Sequence, residues 1–116
     1  MRNEPLTQAL VEERILRMCD ALEENLDTFR ELAAQRADSE ANYKHRYSRA
    51  LVEQSGKVTV SVREAVAHLK ATGDYREWRT LEAQERATQQ LLTSLRAQLD
   101  ALRTIAANVR YAGGHQ

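Results

Sequence analysis

A single cysteine, Cys19, rules out a disulfide within the chain and fits a reducing compartment. It lies beside the apolar seam of the first amphipathic segment, where a packed thiol is expected rather than a reactive one. Proline occurs once, at Pro5, and glycine four times, so little in the 116 residues breaks a helix. Large aromatic groups are scarce as well, with Phe29 and Trp78 alone beside four tyrosines, and a chain of this size buries only a modest core. Uninterrupted apolar runs of membrane-spanning length are missing, and MRNEP with acidic residues close behind does not read as a secretory signal. Net charge is also lacking, 17 basic side chains balancing 17 acidic ones.

The balance hides a polarity. Residues 1–42 carry 5 basic and 10 acidic side chains, residues 43–80 carry 8 and 4, and residues 81–116 carry 4 and 3. An acidic arm is followed by a basic middle. What dominates the pattern is the stretch LLTSLRAQLDALRTIAANV, residues 91–109. Leu92, Leu95, Leu99, Leu102, Ala106 and Val109 recur in steps of three and four, placing them on one helical seam, while Leu91 and Ile105 widen the stripe beyond what one neighbouring helix covers.

The chain reads as a single helical domain. A first helix is expected over about residues 5–54, capped by Asn3, with Pro5 in its first turn. Val11, Ile15, Met18, Leu22, Phe29 and Leu32 recur at heptad spacing. Asn25 falls in a seam position, either fixing register or facing solvent where the stripe shifts to Leu26. AQRADSE, residues 34–40, is polar but lacks a breaker, so the helix is read as running on, with a local bend left open. Ser55-Gly56 ends it, and residues 55–60 form an extended connector. Ser61 with Glu64 has the spacing of a capping box for a short helix over about 61–71, whose apolar stripe is Val62, Val66 and Leu69. Thr72-Gly73 interrupts, Asp74 caps a last helix over about 74–111, and 112–116 form a tail.

Folding the last helix back on the first matches apolar with apolar and polar with polar throughout. Tyr43 and Tyr47 come near Tyr75 and Trp78, residues 34–40 near 82–90, and Val11–Phe29 near Thr88–Ala106. The expected fold is therefore all-α, a long antiparallel, coiled-coil-like helical hairpin with a short extra helix at the tip. The seam of Leu91, Leu92, Leu95, Leu99, Leu102, Ile105 and Val109 is wide enough that a homo-oligomer is expected, a dimer of hairpins forming a four-helix bundle.

Catalytic constellations are nearly absent. There is no Gly-rich phosphate loop, CxxC or HExxH, and no cofactor or metal is expected. His45, His68 and His115 lie on different segments; Glu64 and His68 are one turn apart, a spacing met far more often in solvated surface pairs than in metal sites. The pairs Glu12-Glu13 and Glu23-Glu24 point in different directions and form no carboxylate dyad. One constellation has binding potential: Lys44, Arg46, Arg49, Lys57, Arg63, Lys70, Arg76 and Arg79, interleaved with Tyr43, Tyr47, Tyr75 and Trp78, all gathered toward the tip. Cations neutralise phosphates and rings stack on unpaired bases, as in single-strand binders. The same rings, however, lie on the faces that should pack between helices, and cations on such a surface are commonly a solvated face.

Ala41-Asn42-Tyr43-Lys44-His45-Arg46-Tyr47-Ser48-Arg49-Ala50-Leu51, then Arg63-Glu64-Ala65, and the closing LRAQLDALRTIAANVR of residues 95–110 resemble a group of small helical proteins. These are encoded by tailed phages and prophages of Gram-positive bacteria, and the resemblance covers about residues 41–110. It implies a phage accessory role in the host cytoplasm, near replication and recombination functions, and no established activity. Secreted hairpins of the WXG type have similar length but carry Trp-x-Gly at the turn, whereas Trp78-Arg79-Thr80 lies inside a helix. The expected function is thus non-enzymatic: binding of another protein in DNA replication, recombination or host takeover, with direct nucleic-acid binding by the basic tip as the alternative.

Overall fold

In the computed structural model, residues 7–54, 56 and 58–113 are described. The Asn3 cap and the Pro5 first turn expected from the sequence lie outside the described residues. Three helices follow one another: α1 (Gln8–Glu53), α2 (Val60–Lys70) and α3 (Thr72–Gly113). No strand occurs among the described residues.

α1 begins at Gln8, three residues after the expected start. Thr7 caps it, its Oγ1 accepting from the Leu10 N–H at 3.2 Å and so satisfying one of the first-turn donors. The helix continues without interruption through the polar residues 34–40, as the absence of glycine and proline there allows. At its far end the Gln54 side chain donates to Ala50 O at 3.2 Å and to Arg63 O at 2.8 Å, tying α1 to α2. Gly56 then takes a φ of +103°, a conformation that L side chains rarely adopt and that turns the chain back.

Two caps differ from those expected. The N-cap of α2 is Thr59, whose side chain accepts from the Val62 N–H at 3.3 Å, and Ser61 is already inside the helix. α3 begins at Thr72, so Thr72-Gly73 does not interrupt it and Asp74 is a first-turn residue rather than the cap. The α2–α3 junction is a single residue, Ala71, whose N–H reaches Ala67 O and His68 O at 3.1 Å each and whose carbonyl accepts from Tyr75 N at 2.9 Å. Asp74 still places negative charge where the helix dipole favours it.

The chain forms two compact units. One comprises residues 1–28 with 88–116, the other residues 29–87. In the second unit the pairing of α1 with α3 is antiparallel: as α1 ascends from Arg36 through Tyr43 to Arg46, its partners on α3 descend from Glu85 through Trp78 to Asp74. Arg36 Nε donates to Glu85 at 2.7 Å, and that bond, with the attraction of the carboxylate, holds the guanidinium above its ordinary pKa. Ser39, one turn on from Arg36, is buried; so, farther along, are Ala50, Ala67 and Ala71, so α2 approaches through small residues.

In the first unit Val11, Leu92, Leu99 and Ala106 are buried. Leu92, Leu99 and Ala106 are seven residues apart, one strict line along α3. Leu95, Leu102, Ile105 and Val109 beside that line are only half-buried, and Leu91 is 45% exposed. Asn25 is half-buried and donates to Ala21 O of its own helix at 2.7 Å, so its amide is satisfied locally. Cys19 is a half-buried free thiol.

Thr59→Ala should cost about 1 kcal/mol in chemical denaturation, the usual loss of a hydroxyl cap, whereas Ser61→Ala should change stability by no more than about 0.5 kcal/mol. Leu99→Ala should cost about 2–5 kcal/mol, against near zero for Leu16→Ala at a 66% exposed site. Equal losses within either pair would contradict the capping and burial described.

Candidate binding surface of the α2 unit

The aromatic residues that the sequence gathers toward the tip are brought together in the structure, and against one another. Tyr43 on α1 is the hub, with ring centroids 5.9 Å from Tyr47, 5.3 Å from Tyr75, 5.5 Å from Trp78 and 6.2 Å from His68. His68 on α2 stands edge-on to Tyr75 at 5.2 Å, and Tyr75 edge-on to Trp78 at 5.8 Å. These separations and tilts suit the ring quadrupoles. The Tyr43 hydroxyl lies 3.3 Å from His68 Nδ1. Burial, then the neighbouring Tyr47 and Tyr75, pushes the Tyr43 phenol above its usual value and keeps it neutral. Rings already stacked on rings have few faces left for unpaired bases.

The cations divide into three groups. Those on α1 and α3 are largely matched with carboxylates: Arg46 Nε with Asp74 across the two helices, Arg49 with Glu53 at 3.0 Å, Lys44 with Glu40 at 3.2 Å, and Arg79 with Glu82 at 3.1 Å. The Arg79 guanidinium also sits 5.7 Å above Trp78 and 6.0 Å above Tyr75. Arg63 is half-buried, and its Nε, like Trp78 Nε1, is a buried donor without a hydrogen-bond partner. Lys70 and Arg76 are exposed and have no ion-pair partner among the described residues. Lys57 lies outside the described residues, as does His115. Folding also adds Glu40, Glu82 and Glu85 to this unit, so residues 29–87 hold 11 basic and 9 acidic side chains, a weaker field than the run 43–80 suggests.

Metal-ligating geometry is not assembled among the described residues, where no group of three or more His, Cys, Asp or Glu converges. Glu64 and His68 share α2, and His68 is engaged by Tyr43 and Tyr75. His45 is exposed on α1 in a polar groove with Arg46, Arg49 and Lys70.

The surface that sequence reasoning missed is the outer face of α2. Its apolar stripe was expected to be Val62, Val66 and Leu69. The helix instead packs through Ala67, Ala71 and half-buried Val66, leaving Val62 51% and Leu69 73% exposed, with Ala65 exposed between them. Val60 at 69% and Val52 at 85% extend the exposed apolar side chains of the unit. A helix that packs through Ala67 and Ala71 while Val62 and Leu69 face outward leaves apolar area without a partner. The signal was present in the alternation of Val/Leu and Ala, but only the packing decides which set is inside. No protein-family model matches the chain, nor does any curated protein or solved structure.

Because burial favours the neutral Tyr43 phenol, folding stability should fall as pH rises past about 10, where tyrosine in the unfolded chain ionises but Tyr43 resists. Alkaline denaturation compared between the wild type and Tyr43→Phe should show a shallower loss in the variant. Identical alkaline profiles would remove the buried phenol as the cause.

Proposed function

We propose that the chain is a non-enzymatic accessory protein of the phage type that residues 41–110 resemble. It acts in the host cytoplasm by holding another protein involved in DNA replication, recombination or host takeover, and it works as an oligomer. The exposed Val62 and Leu69 on α2 carry this reading, since each leucine-sized side chain moved out of water contributes about 1.5–3 kcal/mol to an interface. α2 bears Arg63 and Lys70 against the single acidic residue Glu64, so the partner that fits is an amphipathic helix with apolar anchors and acidic flanks. Two features weigh against the nucleic-acid alternative: the rings occupy one another, and four of the candidate cations already face carboxylates. No helix among the described residues is long and apolar enough to cross a membrane.

Peptides selected from a random helical library on the immobilised chain are expected to be amphipathic and acidic. Their affinity should drop about ten-fold or more for Val62→Asp and Leu69→Asp, with helicity retained by circular dichroism. Selected peptides indifferent to both substitutions would count against the reading. Salt-sensitive retardation of single-stranded DNA, abolished by Arg46→Ala, Arg49→Ala and Arg76→Ala, would replace it with the nucleic-acid alternative.

A further inference from the structure

The unit formed by residues 8–28 and 88–113 has its own unpartnered surface. Met18 on α1 and Ala101, Leu102 and Ile105 on α3 line an open apolar groove, rimmed by Arg14, Arg17 and Gln98. The groove runs beside the buried line of Leu92, Leu99 and Ala106, on the half of the α3 stripe that α1 leaves uncovered. Its two walls differ in charge. Where they line the groove, the α1 wall presents Arg14 and Arg17, the two cations of residues 8–28, and the α3 wall presents uncharged Gln98.

We infer that a second copy of this chain covers the groove, with a two-fold axis running along the helices rather than across them. The inference rests on the oligomeric part of the proposed function and supplies its geometry. Two hairpin walls can meet face to face about either kind of axis. An axis across the helices sets α1 beside α1 and α3 beside α3, bringing the Arg14 and Arg17 rims of the two copies together. An axis along the helices sets the Arg14 and Arg17 rim of each copy beside the uncharged Gln98 rim of the other, twice, by symmetry. Like charges set opposite each other cost several kcal/mol across an interface, so the second arrangement is the one the charge pattern selects. All neighbouring helices are then antiparallel, and Leu102 and Ile105 of each copy lie in the four-helix core with Met18.

The test uses the full chain in a Cys19→Ser background. Light scattering should give twice the chain mass, and Ile105→Glu, with helicity retained by circular dichroism, should give the monomer mass. Arg17→Cys mixed with Gln98→Cys should form the mixed disulfide on mild oxidation, in preference to either variant linked to itself. A monomer for the Cys19→Ser chain would overturn the oligomer and with it the pairing. A dimer in which Arg17→Cys links chiefly to itself, or in which no mixed disulfide forms, would overturn the pairing while leaving the oligomer intact.

Discussion

Two helices packed side by side bury one stripe of each, and any apolar residue more than about a quarter turn from that stripe stays in water. Most of the structure follows from how the chain copes with this limit. Along α3 the limit is visible as a boundary between neighbouring side chains, with Leu92 and Leu99 inside and Leu91 outside. On α2 it is visible as an inversion, Ala67 and Ala71 inside and Val62 and Leu69 outside. Large core groups are so few that Val11 is the largest fully buried side chain among the described residues. With so small an interior, self-burial alone leaves hydrophobic area over in both units.

Charged side chains in the protein hold its helices to one another and to themselves. The pairs Arg36–Glu85 and Arg46–Asp74 bridge α1 and α3, while Arg49–Glu53 and Lys44–Glu40 lie along α1 at four-residue spacing. Exposed pairs of the second kind contribute a few tenths of a kcal/mol. Their larger effect is on the surface potential, which they flatten, and on specificity of helix pairing, since a shifted register would set Arg36 or Arg46 opposite the wrong neighbours. The aromatic cluster has the same double character, as Tyr43 joins residues from all three helices into one packed group.

Much of the fold was legible because its signals are periodic. Heptad spacing from Val11 onward, the unbroken polar stretch 34–40 and the Ser55-Gly56 stop led directly to an all-helical antiparallel hairpin with Tyr43 opposite Trp78. Caps were less legible: Thr59 and Ser61 both carry a hydroxyl ahead of an apolar run, and only the backbone geometry selects Thr59. The orientation of α2 was hidden for a related reason, because close approach favours small residues and an alanine face does not stand out in a hydrophobic pattern. Among the candidate cations, the sequence placed Arg46 in a basic cluster but gave no hint that Asp74, on another helix, would receive it. Contacts between residues far apart in the chain are products of folding, and local spacing carries no trace of them.

Trp78, the sole tryptophan, lies within 6 Å of both Tyr43 and Tyr75. Its emission, fed by energy transfer from these tyrosines, therefore reports the integrity of one compact unit, while the other holds only Tyr111 as an aromatic side chain among the described residues. Backbone circular dichroism weighs both. The protein thus carries a native optical label by which melting of the two units can be resolved into one cooperative transition or two.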